Sequence, residues 1–532
     1  MQNDPTYTMS FPIDDTLNEL SKKDGKLVIF CGAGISINSG LPAAIPILDE
    51  VLNRLEIDFE DKDTLIHSDW TLAMPFEMFF ETFLENTNEH QVLDIFKDGN
   101  PSTNHLLISK CHHHKLLDEV YTTNFDLLIE KAFALSKEDL LVFRNEESFA
   151  TVDIVSNNCK LIKVHGSIDN IESIRTTLST ITKKSLTKER QKVIDRIFAT
   201  QDSDKRILIL GYSCSDIFDI IPKIEKVFNP QVNIYLIDHN KLIEKKDSVI
   251  IEDISLKQDN NPFKNYKGKR IKVNTDSFVK WLWDKIDSDY AITIDFNDNW
   301  KKHVEEWIKG FHSHYLKFTI IGQLFYRITN YTLALKYHQK ALDANEDSNK
   351  RGEGASYSNM GLIYHDLKEY DKAIVNFEKA SKLFSQIENF HYGKAATFTN
   401  LGYSYIYMSN KIRAIVNLKK SLLISRKQEF REKKLCESDA LCNLGLLYEM
   451  ESEYENAIYY YSLTLDIDKQ GNKSGEAQTL SDMGRVYKLK GNLKESLRLF
   501  KASNEIAFKI GIQSLLVYTN QQIDEIKLML TV

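Results

Sequence analysis

The stretch Leu27–Pro42 reads LVIFCGAGISINSGLP: five apolar residues followed by a turn rich in glycine and serine. A short apolar run of this kind is typical of a buried strand in a parallel sheet, where helices cover both faces. Glycines at positions 32 and 34 favour a tight turn from a strand into a helix, where backbone N–H groups can approach a phosphate closely. The stretch therefore predicts the first strand and a phosphate-binding turn of an α/β domain.

Similar apolar runs recur along the first half of the chain. Most are bounded by Gly, Asn, Asp or Ser, and longer amphipathic stretches separate them. The predicted strands are Leu27–Cys31, Glu119–Thr122, Leu161–Val164, Ile207–Leu210, Val232–Ile237 and Arg270–Val273. Strands that alternate with crossover helices are typical of a Rossmann-like parallel sheet. We therefore expect an α/β N-terminal domain over residues 1–286.

Polar or glycine-rich residues follow each of the first five predicted strands. They are Gly32, Ala33, Gly34 and Ser36 after the first strand, Thr123, Asn124 and Asp126 after the second, His165 after the third, Gly211, Ser213 and Asp216 after the fourth, and Asp238 after the fifth. Ligands of an open parallel sheet bind beyond the carboxyl ends of its strands. These residues are therefore the candidate site.

Five of these elements, in the same order along the chain, resemble motifs of the sirtuin family. GAGIS followed by NSGLP is similar to that family's GAGxSxxSGxP, TNFD (Thr123–Asp126) to its TxNxD element, and VHG (Val164–Gly166) to its catalytic VHG. GYS (Gly211–Ser213) stands where the family has a Gly-x-Ser ribose-binding turn, and Asp238 begins the segment that stands at its adenosine contact. The resemblance covers about residues 15–285 and implies a sirtuin-like domain that binds NAD+.

The resemblance also implies a role for each residue. Asn124 would orient the ribose or a water molecule, Asp126 would hold the nicotinamide carboxamide, and His165 would be the general base, because imidazole titrates near neutrality. Cleavage of the nicotinamide–ribose bond builds oxocarbenium character on C1′, and the leaving group is already cationic, so no acid is needed. The residues expected to bind the dinucleotide are Gly32, Ala33, Gly34, Ser36, Thr123, Gly211, Ser213, Asp216 and Asp238.

Purely structural interpretations stand beside these roles. The two glycines of the first turn could make a tight strand-to-helix connection without a ligand. His165 could be a core histidine that donates to a backbone carbonyl. Asn124 and Asp126 are residue types that suit an Asx turn and a helix N-cap, and Asp216 could be an N-cap as well.

Two departures from the family pattern bear on the reaction. The interval from His165 to Gly211, where the family's zinc module normally lies, contains no cysteine. The chain reads AAIP at residues 43–46, where the family usually has Asp-Phe-Arg. The zinc module helps to form the acyl-lysine channel, so its loss disfavours deacylation of a protein substrate. Because the chain also lacks any CxxC pair, we expect no metal site.

The second half of the chain carries an internal repeat. Glycines recur at Gly322, Gly361, Gly402, Gly445 and Gly484, and a small residue follows 12 positions after each, at Ala334, Ala373, Ala414, Ala457 and Ser496. The Gly–x2–Tyr and Ala–x6–Ala/Ser/Thr positions resemble the tetratricopeptide repeat over residues 318–510. One helical pair cannot bury its apolar face alone, so we predict an all-α solenoid over residues 318–532. Residues 287–317 lack a Gly/Ser/Pro signature and are expected to form a helical connector.

Composition limits the class of protein. Among 532 residues, 42% are hydrophobic and 27% charged, with only 9 prolines, which excludes collagen-like and broadly disordered chains. No apolar run approaches the roughly 20 residues of a membrane span, and the first residues lack signal-peptide features. A net charge of −8 disfavours wholesale attraction to nucleic acid. We therefore expect a cytoplasmic protein without a membrane partner.

A sirtuin-like core without the zinc module, joined to helical repeats, resembles bacterial anti-phage proteins that consume NAD+. The resemblance implies an NAD+ hydrolase that forms nicotinamide and ADP-ribose and is triggered in abortive infection. The repeats would sense a trigger such as a phage protein or mediate assembly, and a homo-oligomer is expected by analogy. The alternatives are an NAD+-dependent protein deacylase, an ADP-ribosyltransferase and a non-catalytic nucleotide-binding adaptor.

Overall fold

The computed structural model describes residues 15–66, 76–87, 91–154, 158–174, 188–200, 202–212, 214, 220–239, 249–255, 261–287, 299–311, 313–346, 349–510 and 512–531. These residues form two compact units. The first takes its described residues from Met1–Val51, Glu89–Thr176 and Leu186–Trp307, and the second from Leu52–Asn88 and Ile308–Val532. The domain boundaries predicted at residues 286 and 317 stay predictions.

The first unit contains a mostly parallel sheet of eight described strands. They are β1 (Leu27–Cys31), β2 (Leu117–Thr122), β3 (Leu140–Phe143), β4 (Cys159–Lys163), β5 (Arg206–Leu210), β6 (Asn229–His239), β7 (Ile250–Asp253) and β8 (Tyr266–Val273). The order across the sheet is β3-β4-β2-β1-β5-β6-β8-β7, and only β7 runs antiparallel to its neighbour. The predicted Rossmann-like sheet is confirmed, although β3 and β7 were not among the predicted strands.

Helices accompany these strands along the chain. Up to Lys309 the described α-helices are α1 (Asp15–Asn18), α2 (Ala44–Arg54), α3 (Phe59–Lys62), α4 (Phe76–Thr87), α5 (Thr103–His113), α6 (Leu128–Ser136), α7 (Glu146–Phe149), α8 (Lys188–Phe198), α9 (Ile220–Lys226), α10 (Thr275–Ile286) and α11 (Trp300–Lys309). Short 3-10 helices lie at Glu19–Ser21, Ala33–Ser39, Gln91–Phe96 and Ile171–Ser173.

The central strand β1 is buried on both faces of the sheet. Val28 and Phe30 pack in one core, which includes residues of α8 and α9. Ile29 and Cys31 point to the opposite face and pack in a second core, which includes residues of α5 and α10. Burial of both faces explains why the strand reads as a continuous apolar run rather than as an alternating one.

The second unit contains the repeat helices. They are α12 (His314–Arg327), α13 (Tyr331–Asp343), α14 (Lys350–Asp366), α15 (Tyr370–Ser385), α16 (His391–Tyr407), α17 (Lys411–Lys427), α18 (Lys433–Met450), α19 (Tyr454–Asp468), α20 (Lys473–Leu489), α21 (Leu493–Ile510) and α22 (Gln513–Thr531). The predicted all-α solenoid is confirmed. Among the described helices of both units, none has the length and apolarity needed to cross a bilayer.

The small residues of the repeat lie where its two helices meet. A Cβ on Gly361 would lie 2.6 Å from the ring of Phe377, and one on Gly445 would lie 2.7 Å from the ring of Tyr461. The small residue that follows each glycine has no exposed surface in any of the five repeats. In the last repeat this residue is Ser496, whose hydroxyl donates to the carbonyl of Gly484 over 2.7 Å. Larger side chains at these positions would force the helices apart.

An acidic segment from early in the chain packs on the first repeat, within the second unit. The Asp58 N–H donates to the Tyr337 hydroxyl over 2.9 Å, and that hydroxyl donates to Asp61 over 2.8 Å. Lys336 lies 2.8 Å from the Asp58 carboxylate and 2.6 Å from that of Asp61. Hydrogen bonds from Lys336 and Lys340 lower the pKa of Asp58 to about 2. The residues that follow α2 therefore belong to the same compact unit as the repeats.

Candidate functional site

The turns that follow β5, β1, β2 and β4 lie side by side at the carboxyl edge of the sheet. Backbone hydrogen bonds join them past the strand ends: the Gly32 N–H donates to Leu210 over 3.0 Å, and the Val164 N–H to Thr122 over 2.9 Å. The strand order reverses between β1 and β5, and open α/β sheets bind their ligands at such a point. Most of the predicted site elements therefore meet at one edge.

The glycine turn after β1 packs against the turn after β5. A Cβ on Gly32 would lie 2.6 Å from the Gly211 carbonyl oxygen, and one on Gly34 would lie 2.7 Å from the Gly211 Cα. The Gly34 N–H donates to the Gly211 carbonyl over 2.8 Å. Gly211 itself has a left-handed φ of +61°. This contact accounts for the glycines without a ligand, so phosphate binding by the turn stays a prediction.

A buried hydrogen-bond network is centred on Ser36. Its Oγ lies 2.9 Å from Asp126 Oδ2, 3.1 Å from Asn124 Nδ2 and 3.2 Å from His105 Nε2. A hydroxyl has one proton and an ionised carboxylate can only accept, so Ser36 donates to Asp126 and accepts from the other two groups. The structure thus brings together three of the residues singled out in the sequence and adds His105.

The buried ring of His105 ties two segments of the site together. The Ser102 N–H donates to Nδ1 over 3.1 Å, so Nδ1 carries no proton and Nε2–H donates to Ser36. Burial lowers the pKa of His105 to about 4, although Asp126 opposes the shift, so the ring is neutral at pH 7. His105 therefore holds the start of α5 against the 3-10 helix that carries Ser36.

Asn124 keeps one buried polar atom without a hydrogen-bond partner in the described part of the chain. Its N–H donates to Thr122 Oγ1 over 3.0 Å and its Nδ2 donates to Ser36, but Oδ1 accepts nothing. The Ser167 hydroxyl, two residues after His165, is also buried and without a partner among the described residues. An orphaned polar atom costs about 1–3 kcal/mol, so Asn124 Oδ1 and the Ser167 hydroxyl can gain from a hydrogen bond to a bound molecule.

Asp126 has both carboxylate oxygens engaged within the protein. Oδ1 accepts from the Leu128 N–H over 3.0 Å at the start of α6, and Oδ2 accepts from Ser36 over 2.9 Å. These contacts correspond to the N-cap alternative. The carboxylate therefore orients Ser36 and the start of α6, and its contact with a carboxamide stays a prediction.

His165 follows β4 and lies beside the Asn124 loop. The residue is 9% exposed, and its ring stacks on that of Phe125 with centroids 6.4 Å apart. The Ile168 N–H donates to the Phe125 carbonyl over 2.9 Å, which joins the two loops. Gly166 has φ +92°, and a Cβ there would lie 2.4 Å from the Ser173 carbonyl oxygen, so only glycine fits.

The remaining predicted site residues that the structure describes lie outside the Ser36 network. Ala33 is exposed at the start of its 3-10 helix, and Thr123 is half-buried. The carboxylate of Asp238 lies 2.8 Å from the Arg270 guanidinium on β8. Ser213 and Asp216 lie outside the described residues.

Two family models match this chain. One, for a SIR2-like domain, matches residues 118–257, and the other, for the tetratricopeptide repeat, matches residues 318–386, 352–427 and 436–507. The chain carries a SIR2-like domain followed by tetratricopeptide repeats. The resemblance inferred from the motifs is thereby confirmed: a NAD-related domain is joined to a repeat-based interaction module.

Two solved structures with similarity to this chain illustrate how low the TM-scores of such matches can be. BtubC (BKLC) from P. vanneervenii is 18% identical, covers 36% of this chain and 78% of its own, and has a TM-score of 0.32. The apo form of RapI is 21% identical, covers 37% of this chain and 70% of its own, and has a TM-score of 0.33. No curated protein matches the sequence.

The SIR2-like domain also contains a buried lysine that the sequence analysis did not single out. Lys163, at the end of β4, has a side chain only 1% exposed. Its ammonium donates to the carbonyls of Phe125, over 3.4 Å, and Asp126, and lies 2.9 Å from Glu130 Oε1. Burial raises the pKa of Glu130, and Lys163 opposes that shift. Lys163 thus holds the backbone of the Asn124 loop.

The arrangement of metal-ligating side chains among the described residues bears on the expected absence of a metal site. No group of three or more His, Cys, Asp or Glu side chains that could hold an ion occurs among the described residues. Cys31 is buried and Cys214 is half-buried, and desolvation of the thiol raises the pKa of both, in Cys214 to about 12. These cysteines are protonated packing residues at neutral pH.

The neutral ring of His105 makes the stability of the SIR2-like domain depend on pH. Its folded-state pKa of about 4 lies below the ordinary value of 6.5, so between these values the unfolded chain binds more protons. Stability is therefore lost as the pH falls through this window. Between pH 7 and pH 4.5, we expect the free energy of unfolding of a His105→Gln variant to fall by roughly 2 kcal/mol less than that of the wild type.

Amide hydrogen exchange of β1 measures this difference, after correction for the pH dependence of intrinsic exchange. Other titrating groups are shared by both proteins and cancel in the comparison. An equal loss of protection in the two proteins would show that His105 does not control the acid sensitivity of the sheet.

Proposed function

We propose that the SIR2-like domain hydrolyses NAD+ to nicotinamide and ADP-ribose. The observation that carries this proposal is the buried Oδ1 of Asn124, held in place by Ser36 and left without a partner among the described residues. An amide oxygen in that state can accept a hydrogen bond from a ribose hydroxyl or from water. The loop that carries it is joined to the loop of His165 through the Ile168–Phe125 backbone hydrogen bond.

In the proposed reaction the loop of Asn124 and the loop of His165 have different roles. The bond between C1′ and the nicotinamide nitrogen breaks, and its electron pair leaves with nicotinamide, which becomes neutral. The oxygen of a water molecule bonds to C1′, and its proton passes to His165. Asn124 Oδ1 orients the water or the adjacent ribose hydroxyl, and Ser36 keeps the amide from rotating.

The composition of the interval between His165 and Gly211 favours hydrolysis over deacylation. No cysteine lies between His165 and Gly211, where the sirtuin zinc module would help to form an acyl-lysine channel. A site without that channel leaves water as the simplest acceptor for the ADP-ribosyl group.

We further infer that the tetratricopeptide repeats control this activity during phage infection, in the cytoplasm. An unregulated NAD+ hydrolase would poison its own cell, so a resting state of low activity must be relieved by a trigger. The trigger would be a phage protein bound by the repeats, or a change in the assembly of a homo-oligomer. The acidic segment on the first repeat supports this link, because it follows the glycine turn and α2 in the chain.

The full-length protein incubated with NAD+ tests the reaction, with products separated by chromatography. We expect nicotinamide and ADP-ribose in equal amounts, and loss of cellular NAD+ on phage challenge. Turnover that requires an acetylated peptide would instead indicate a deacylase, and label transferred from NAD+ to protein a transferase. Unchanged NAD+ in infected cells and in the purified reaction would leave only a nucleotide-binding adaptor.

A further inference from the structure

A cluster of tyrosines with one carboxylate lies across the first three repeats. We call Tyr326, Asp366, Tyr370, Tyr403 and Tyr407 the tyrosine–aspartate cluster. The rings of Tyr370 and Tyr407 stack with centroids 5.4 Å apart, and those of Tyr403 and Tyr407 meet edge to face at 5.1 Å. The Tyr326 hydroxyl donates to Asp366 Oδ2 over 2.7 Å. Residues from α12, α14, α15 and α16 thus form one continuous surface.

The centre of the cluster is a neutral histidine. His365 stacks on Tyr403 with centroids 4.4 Å apart and also contacts Tyr370 at 5.1 Å. Ser404 donates its only proton to the Asn400 carbonyl, so at 3.1 Å it accepts from His365 Nδ1–H. Burial lowers the pKa of His365, which keeps the ring uncharged at neutral pH. The cluster therefore combines partly exposed aromatic rings, of which that of Tyr407 is the most exposed, with one exposed carboxylate.

The cluster lacks a cation of its own among the described residues. No lysine or arginine pairs with the exposed Asp366 there, and none lies over the rings of its four tyrosines. Other tyrosines of the repeats already have such a partner. Lys372 lies 5.3 Å from the ring of Tyr364, and Arg413 lies 5.5 Å from that of Tyr405.

We propose that the tyrosine–aspartate cluster binds the guanidinium group of an arginine on a partner polypeptide. A planar guanidinium stacks on tyrosine faces and donates hydrogen bonds to a carboxylate at the same time. Asp366 has acceptor positions left for the guanidinium, because Tyr326 takes only one of those on Oδ2. An ammonium group is more strongly hydrated and cannot stack, so lysine is the poorer ligand. This inference is independent of the proposed NAD+ hydrolysis.

Binding of a fluorescent Gly-Arg-Gly-Arg-Gly peptide to the full-length protein tests the proposal. The reference peptide carries citrulline in place of arginine, which keeps the shape and removes the charge. At about 0.15 M salt we expect the arginine peptide to bind at least about tenfold more tightly than the citrulline peptide. Asp366→Asn should remove most of that preference, and Tyr407→Leu should weaken binding of the arginine peptide several-fold.

Glu388→Gln is the matched control, because it removes an exposed carboxylate outside the cluster. Its binding should equal that of the wild type. Equal binding of the two peptides would overturn the proposal, as would equal losses in Asp366→Asn and Glu388→Gln, which would indicate general attraction to a chain of net charge −8. Circular dichroism checks folding, and Asp366→Asn remains a valid test if Tyr407→Leu unfolds, because residue 366 is exposed and an asparagine oxygen can still accept from the Tyr326 hydroxyl.

Discussion

Asn124→Ala is expected to lower the rate of NAD+ hydrolysis by at least about a hundredfold, and His165→Ala by a similar or larger factor. The first variant removes the buried acceptor Oδ1 that would orient the water or ribose hydroxyl. The second removes the proposed base. Turnover by the full-length protein is measured as nicotinamide release, and NAD+ affinity is measured separately. We expect the affinity to change less than the turnover number, because each substitution removes a group that acts on the reacting atoms and leaves the other contacts to the dinucleotide in place.

Removal of another asparagine of the SIR2-like domain, Asn145, serves as control for Asn124→Ala. Asn145 caps α7 by accepting from the Ser148 N–H over 3.0 Å, and it takes no part in the Ser36 network. Loss of such a cap costs about 1 kcal/mol. Asn145→Ala should therefore destabilise the domain while keeping turnover near the wild-type level. Full activity in Asn124→Ala would remove this residue from the mechanism.

Lys163→Met should destabilise the SIR2-like domain by about 3–5 kcal/mol, although methionine has nearly the same length and shape. The reason is that the carboxylate of Glu130 and the carbonyls of Phe125 and Asp126 would lose the ammonium that they bind. Burying a carboxylate without its partner costs far more free energy than the intact ion pair contributes to stability. Urea unfolding, followed by amide exchange in β2 and β4, measures the loss.

The double variant Lys163→Met/Glu130→Leu distinguishes this cause from poor packing. It removes both charges, so it should be more stable than Lys163→Met alone by about 1–2 kcal/mol. Because Lys163 holds the loop of Asn124, turnover per folded molecule should stay low in both variants. A double variant no more stable than the single one would show that the buried charge of Glu130 is not the source of the loss.

Much of the fold was predictable because it depends on local patterns. β1 begins and ends at the predicted residues, since an apolar run of five residues that ends at a glycine favours a short buried strand. The repeat was predictable because the same small residues recur at one spacing. The strands β3 and β7 were missed because each has only four residues at an edge of the sheet, too few to show a period.

The sequence predicted which loops form the candidate site, but not which side chains contact one another there. Ser36, Asn124 and Asp126 were found because they follow strands in recognisable motifs. His105 was missed because it lies in an ordinary helix without a motif. A lysine inside an apolar strand, as in LIKV, was a signal for Lys163 that could have been used, since a buried ammonium requires acceptors.

The order of the strands along the chain, the repeat register and the identity of the site loops thus follow from residue periodicity and motif, which are properties of neighbours along the chain. The order of the strands across the sheet does not follow from them. The hydrogen bonds of Ser36 join it to residues 69, 88 and 90 positions away, and Tyr337 meets Asp61 across 276 positions. Only the folded chain decides such pairings, because a polar side chain takes as its partner whichever group tertiary packing buries beside it.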